Sequence, residues 1–180
     1  MWLSAAGLET LVFVTFFFFF LKKIQIFREL EAVIGSSVCS SASTASCVTG
    51  SLAFVCGNVV KRLDGEKESL LELPKSVSAV CFSQTGMLAV GEKGAKPRVL
   101  VFNNQRETVF EYAGAHQFGV ASLAFSPSGA FLASSGFLND GFLRIYSVQG
   151  EKPGALAVSK IGSKVFGLVW EGTDMCTHEY

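Results

Sequence analysis

The side chains best suited to chemistry in this sequence are two histidines and five cysteines. Cys176 and His178 lie close enough for a thiolate and a base to cooperate, but no third, orienting residue accompanies them. The cysteines contain no Cys-x-x-Cys pair, the spacing that zinc knuckles and thioredoxin-like sites need. They therefore predict reduced thiols in the core of a cytosolic domain, and neither a metal site nor a catalytic pair.

Two further segments have the composition of binding loops. Gly91–Pro97 is rich in glycine and lysine, but it lacks the spacing of a phosphate-binding loop, and Pro97 has no N–H to offer a phosphate. Lys61–Glu68 mixes both charge signs, and nothing near Glu66 or Glu68 supplies an apolar wall that would tune a carboxylate pair. Both segments are predicted to be solvated loops.

No catalytic residue, metal site or cofactor is predicted. An enzyme is the least supported class, because no nucleophile, base and orienting group converge in the sequence. Lys plus Arg and Asp plus Glu both number 15, so no basic field would attract nucleic acid. Hydrophobic residues make up 49% of the chain and glycines number 18, a mixture typical of β-rich domains with many tight turns.

Residues 1–23 form a separate apolar segment. Its unbroken run, Leu11–Leu21, would span about 16 Å as a helix, short of the ~30 Å hydrocarbon core, and extending it to Met1 includes Glu9. Lys22 and Lys23 follow the run, so an anchor here would leave the C-terminal part in the cytosol. Three interpretations stay open: a membrane anchor, an apolar tail packed on the domain, or a segment that is not native to it.

Downstream of residue 46, the chain repeats itself at an interval of about 43–45 residues. Val77–Ser83 matches Val120–Ser126 at an offset of 43, and Arg98–Phe102 matches Phe142–Tyr146 at 44. A third copy begins with Val165–Trp170, 45 residues after Val120. Short strands at such a period are the signature of propeller blades, four-stranded antiparallel sheets packed face to face.

The repeat also predicts individual elements. At the first offset Leu88 matches Phe131, and Phe82, Phe125 and Trp170 are expected at equivalent buried positions. Any helix should lie before residue 36. Strands are expected near residues 77–83, 87–91, 98–102, 120–126, 131–135, 142–147 and 164–170.

The second copy resembles the WD-repeat family. Ala115-His116, Phe125-Ser-Pro-Ser-Gly129, Leu132-Ala-Ser134 and Asp140-Gly141 follow the family pattern, and Phe102 and Tyr146 stand where its closing Trp does. The resemblance implies a hydrogen-bonded tetrad of structural residues within a blade. Its members would be His116, Ser134, Asp140 and Tyr146.

Over roughly residues 29–170 the order of motifs resembles the N-terminal propeller of the mitogen-activated-protein-kinase-binding WD-repeat scaffolds. The motifs are Leu30–Gly35, Gly57–Val60, Val90–Gly94, Pro97–Val99 and Ala115–Ala121. This resemblance implies protein partners, among them mitogen-activated kinases or spindle-pole components, and a cytoplasmic, cytoskeletal or centrosomal location.

The predicted fold class is all-β, a partial WD-repeat β-propeller of about two to three blades with an apolar, helix-compatible N-terminal segment. The predicted divisions are the apolar segment 1–23, a connector 24–45 and the incomplete propeller 46–180, with an incomplete first blade and only the first strand of the last. Because open strand edges invite pairing, we expect missing blades to come from a longer product or a partner. The function predicted is a protein-interaction scaffold; the alternative is a membrane-anchored protein with a cytosolic propeller part.

Overall fold

The computed structural model describes residues 44–46, 50–137, 140–149, 154–162, 165–171 and 174–179. The predictions for segment 1–23 and for nearly all of the connector 24–45 therefore lie outside the described residues. Within the described ranges, no helix is long and apolar enough to cross a membrane.

Fourteen antiparallel strands make up the described part of the chain, and the strands of each sheet follow one another in chain order. The first sheet comprises β1 (Thr44–Ser46), β2 (Leu52–Cys56), β3 (Val59–Asp64) and β4 (Lys67–Glu72). The second comprises β5 (Val77–Phe82), β6 (Leu88–Glu92), β7 (Arg98–Phe102) and β8 (Thr108–Ala113). The third comprises β9 (Val120–Phe125), β10 (Phe131–Gly136), β11 (Phe142–Ser147) and β12 (Gly154–Lys160), and a last pair comprises β13 (Val165–Glu171) and β14 (Asp174–Glu179).

Successive sheets pack through their first strands. Strand β5 contacts β9, and β9 in turn contacts β13. An apolar core fills each of the spaces between neighbouring sheets. All five residues of β6 are buried, as expected for a strand that is covered on both faces. The predicted all-β fold is confirmed, and the arrangement is consistent with part of a β-propeller.

The match predicted between Leu88 and Phe131 is wrong by one residue. Leu88 pairs with Phe82, whereas the residue that pairs with Phe125 is Leu132. Five residues separate the pair Phe82 and Leu88 and six separate the pair Phe125 and Leu132, so the offset changes from 43 to 44 within this turn. Phe131 is consequently 38% exposed, while Leu132 is fully buried.

The prediction that Lys61–Glu68 is a solvated loop is also wrong. These residues form most of the β3–β4 hairpin, which turns at Gly65 with a φ of +63°. Most of its charged residues lie on the strands, and two ion pairs form within it, Lys61 with Glu68 and Arg62 with Asp64, both at 2.8 Å. The first sheet, predicted to be incomplete, has four strands, and the last pair adds β14 to the single strand predicted there.

Phe82, Phe125 and Trp170 each occupy the sixth position of the first strand in their sheet, but they are half-buried instead of buried. The sixth position lies where the strand ends or nearly ends. The Trp170 indole N–H donates to the carbonyl of Ala124 at 3.0 Å, and the Arg62 guanidinium lies 5.3 Å from the Phe82 ring centroid. Phe102 is 6% exposed and belongs to the core.

The second and third sheets are in close contact at Gly91, where the absence of a side chain makes room for Val120. A Cβ at this position would lie 2.5 Å from Cβ of Val120, a rigid branched side chain of β9. We expect Gly91→Ala to lower the free energy of unfolding by about 1–3 kcal/mol, because the sheets must move apart. Urea titration followed by far-UV circular dichroism measures this change.

The matched control is Gly154→Ala, since an added Cβ there meets nothing within 4 Å. We expect it to leave stability unchanged within about 0.5 kcal/mol. Equal effects of the two substitutions would show that the two sheets are not in contact at Gly91.

Candidate functional site

The structure brings the four residues of the predicted tetrad together in one hydrogen-bond chain. His116 lies in the β8–β9 loop, Ser134 on β10, Asp140 in the β10–β11 loop and Tyr146 on β11. The Nε2 atom of His116 lies 2.7 Å from Oγ of Ser134, which lies 3.0 Å from the Tyr146 hydroxyl. Nδ1 of His116 binds Oδ2 of Asp140, and Oδ1 of Asp140 accepts the backbone N–H of Gln117 at 3.2 Å.

Burial sets the direction of these hydrogen bonds. It lowers the pKa of His116 below its ordinary value, although the bond to Asp140 acts the other way. It also raises the pKa of Tyr146 to about 12, so the phenol keeps its proton. With a neutral imidazole, Tyr146 donates to Ser134, Ser134 donates to Nε2, and Nδ1–H donates to Asp140. Every side-chain donor of the tetrad then has an acceptor.

The same order of hydroxyl, imidazole and carboxyl group is found in serine hydrolases, where it activates the hydroxyl as a nucleophile. Ser134, His116 and Asp140 were predicted from the sequence as structural residues, and the structure shows that they share this order. The surroundings differ from those of a hydrolase, however. Ser134 is fully buried and also bonded to Tyr146, and His116 is only 4% exposed. As it stands, this arrangement joins strands and loops, and its hydroxyl is covered.

The second sheet has apolar residues at the matching positions. Strand register places Val90 where Ser134 lies and Phe102 where Tyr146 lies, and Leu73 precedes β5 by the same interval as His116 precedes β9. All three are buried within one apolar cluster. Pro74 stands at the position of Gln117 and has no N–H with which to bind a carboxyl group. The polar chain is thus replaced as a whole.

A charge cluster around the buried Glu92 lies at this end of the second sheet and was not predicted from the sequence. Glu92, the last residue of β6, is fully buried, although Gly91–Pro97 was predicted to be a solvated loop. Its Oε2 accepts the backbone N–H and the Nε–H of Arg98 at 3.0 and 2.9 Å, and its Oε1 accepts from Nη2 at 2.5 Å. These bonds raise the pKa of Arg98 further above its already high value. Nη1 of Arg98 also donates to Oε1 of Glu111 on β8 at 3.1 Å.

The other residues considered from the sequence form no such cluster. Glu66 and Glu68 are exposed in the β3–β4 hairpin. Burial raises the pKa of Cys81 to about 12, so this thiol stays protonated at neutral pH. The side chains of Cys176 and His178 lie outside the described residues. Among the side chains that are described, no group of three His, Cys, Asp or Glu residues could hold a metal ion.

Comparison with protein families identifies part of the chain. The WD domain, G-beta repeat family model matches residues 106–147. Residues 106–147 are therefore similar to a WD repeat. The matched segment begins just before β8, the last strand of the second sheet, and ends with β11, the third strand of the third sheet. It therefore spans two sheets and includes the whole tetrad. A comparison with curated proteins returns no matching relative.

The four residues of the tetrad should stabilise the fold as one network, so that replacing one of them costs more stability than its share of a combined replacement. Ser134→Val alone leaves His116 Nε2 and the Tyr146 hydroxyl without their partner, and we expect it to cost about 1–3 kcal/mol of stability. The combined change His116→Leu, Gln117→Pro, Ser134→Val, Asp140→Ala and Tyr146→Phe, which gives the site the apolar character of the second sheet, should cost less than the sum of the five single changes. Urea unfolding of the six variants measures the difference. Additive costs would mean that the tetrad does not act as one network.

The lowered pKa of His116 makes stability depend on pH. Below its ordinary value of 6.5, the unfolded chain binds a proton at this imidazole that the folded chain does not. The contribution of His116 to the free energy of unfolding is therefore complete above this value. It falls as the pH drops from 6.5 towards the lower pKa of the folded state, by at most about 1.4 kcal/mol per pH unit. Urea midpoints measured through this range should fall in the wild type. His116→Leu should show a smaller fall, and an identical fall in both would contradict the assignment.

Proposed function

We propose that this chain is a protein–protein interaction module built on WD-repeat blades, with no catalytic activity of its own. The observation that carries the proposal is the burial of the tetrad within the matched WD repeat. A nucleophile must reach a substrate carbonyl to react, and Ser134 Oγ is covered and already bonded on two sides. What the tetrad provides is a fixed β8–β9 loop. Rigid scaffolds that present loops are a common means of binding partners.

The finer proposal is that the partners belong to mitogen-activated kinase signalling or to the spindle pole, and that the chain acts in the cytoplasm or at the centrosome. It is supported by the order of motifs between residues 29 and 170, and by nothing in the geometry of the site. Propeller folds serve many functions, so the fold itself does not select among partners.

A second candidate is a protein anchored to a membrane through residues 1–23, with its propeller part in the cytosol. The apolar run Leu11–Leu21, followed by Lys22 and Lys23, favours it. Alkaline carbonate extraction of cell membranes separates the two candidates. An anchored chain stays in the pellet, and deletion of residues 1–23 releases it. A full-length chain that alkaline carbonate releases is not anchored.

The absence of catalysis has a direct test. A fluorophosphonate probe labels activated serines, and we expect the wild type to be labelled no more than Ser134→Ala. In cells, chemical cross-linking should link the wild type to discrete proteins that are lost in Leu132→Asp, which places a charge in the core and unfolds the chain. Labelling at Ser134 would replace the proposal with a hydrolase. Cross-links that are equal in the wild type and the unfolded variant would show nonspecific association and also refute it.

A further inference from the structure

Phe118 is an exposed aromatic residue on a loop whose backbone is fixed on both sides. Its side chain is 54% exposed. Its carbonyl accepts the N–H of Gly94 at 2.9 Å, and the carbonyl of Gly119 accepts the N–H of Phe137 at 3.3 Å. Gln117, on the other side, donates its N–H to the buried Asp140. Because the backbone of this loop is already fixed, it loses little conformational entropy when a partner covers the ring of Phe118.

The ring of Phe137 packs against the backbone of this loop at Gly119. A Cβ on Gly119 would lie 2.4 Å from Cε2 of Phe137, so the absence of a side chain at residue 119 lets the ring lie directly against the backbone. The ammonium group of Lys93 lies 5.9 Å from the centroid of the same ring. Lys93 also forms a bridge with Gly119, which connects the β6–β7 turn to the loop that carries Phe118.

Three lysines lie at the β6–β7 turn, which Lys93 and Gly94 join to the loop that carries Phe118. Lys75 donates to the carbonyls of Ala95 and Lys96, both at 2.9 Å, and thereby brings its charge to the β6–β7 turn. Lys93 and Lys96 are exposed, and within the described part of the chain neither forms a salt bridge.

The nearby acidic groups leave two of these lysines without an ion pair among the described residues. Lys75 lies 3.9 Å from the buried Glu92, and the exposed Glu111 pairs with Arg98. Lys93 and Lys96 therefore carry the positive charge of this surface. The chain has a formal net charge of zero, so the positive charge at this end is a local feature.

We propose that Phe118, Phe137, Lys75, Lys93 and Lys96, which we name the Phe118 patch, bind an acidic segment of a partner protein that carries an apolar side chain beside its carboxylates. The apolar side chain covers Phe118, and the carboxylates pair with the lysines. The proposal rests on the proposed interaction function and specifies its surface. Charge complementarity selects the partner, and an aromatic anchor with a polar surround is the usual composition of an interface hot spot.

A protein segment fits this patch better than a membrane surface does. Basic clusters that hold anionic membranes have about 4–8 Lys or Arg side chains, whereas the Phe118 patch has three. The backbone that carries its single exposed aromatic side chain is hydrogen-bonded to the β6–β7 turn and to the β10–β11 loop, a geometry suited to a defined contact.

The test is a selection of phage-displayed random 12-residue peptides on the full chain. Peptides enriched on the wild type are resynthesised with a fluorophore, and their affinities are measured by fluorescence anisotropy. We expect enriched peptides to be net negative with at least one aromatic or large aliphatic residue. Phe118→Ala and the pair Lys93→Glu with Lys96→Glu should each weaken binding by about tenfold or more. Binding should also weaken as NaCl is raised from about 50 to 300 mM.

Matched controls use residues of the same type at the other end of the sheets. Phe131→Ala removes an aromatic ring that is 38% exposed, and Lys67→Glu reverses an exposed charge in the β3–β4 hairpin. Both should leave peptide affinity unchanged. Circular dichroism of all variants checks that the fold is retained.

The outcomes separate this inference from the proposed function. Peptides that bind the wild type and the Phe118 patch variants equally would overturn the patch and leave the interaction function in place. No enrichment of any peptide on the folded chain would overturn the patch and count against the interaction function as well. Binding to phosphatidylserine vesicles that is lost in Phe118→Ala, without peptide binding, would assign the patch to a membrane and overturn the proposal.

Discussion

The structure depends on a rule that buried polar groups must be paired, and His116 is where this rule has the widest effect. Through its two ring nitrogens it connects Ser134 on β10 and Asp140 in the β10–β11 loop. His116 itself follows β8, the outer strand of the preceding sheet, so the bonds cross from one sheet to the next. Tyr146 strengthens the same junction, because its ring lies 5.6 and 5.2 Å from the rings of Phe110 and Tyr112 on β8.

The second sheet meets the same requirement by removing the polar groups. A lone polar residue among Leu73, Val90 and Phe102 would have no partner, and Pro74 has removed the N–H that would bind an acidic residue. The turn between β6 and β7, the two central strands of this sheet, must still be fixed. Glu92 fixes it by accepting three hydrogen bonds from Arg98 across the turn. Two neighbouring blades therefore have the same strand order, one with a neutral network and the other with an apolar cluster and an ion pair at this end.

In the second and third sheets, the sequence predicts the first three strands well and the outermost strand poorly, for a physical reason. Strands β6 and β10 are covered on both faces, so their apolar residues form continuous runs that stand out in the repeat. Strands β4 and β12 are largely exposed, and their mixture of charges and small residues resembles that of a loop. The tetrad could be placed by resemblance because its residues are polar within an apolar repeat. The burial of Glu92 could not, since its pairing with Arg98 depends on a turn geometry that spacing alone does not specify.

The hydrogen bonds that keep Ser134 from a substrate also determine what the surface can present. Asp140 holds His116 with one carboxyl oxygen and the N–H of Gln117 with the other, and Phe118 is the next residue along the chain. A loop fixed at this point can expose a large aromatic side chain without collapsing over it, because its backbone bonds to Asp140, Gly94 and Phe137 resist that movement. A geometry that in an accessible pocket would activate a hydroxyl here stabilises the loop that presents Phe118. The difference lies in solvent access to Ser134, since the three groups and their order are the same.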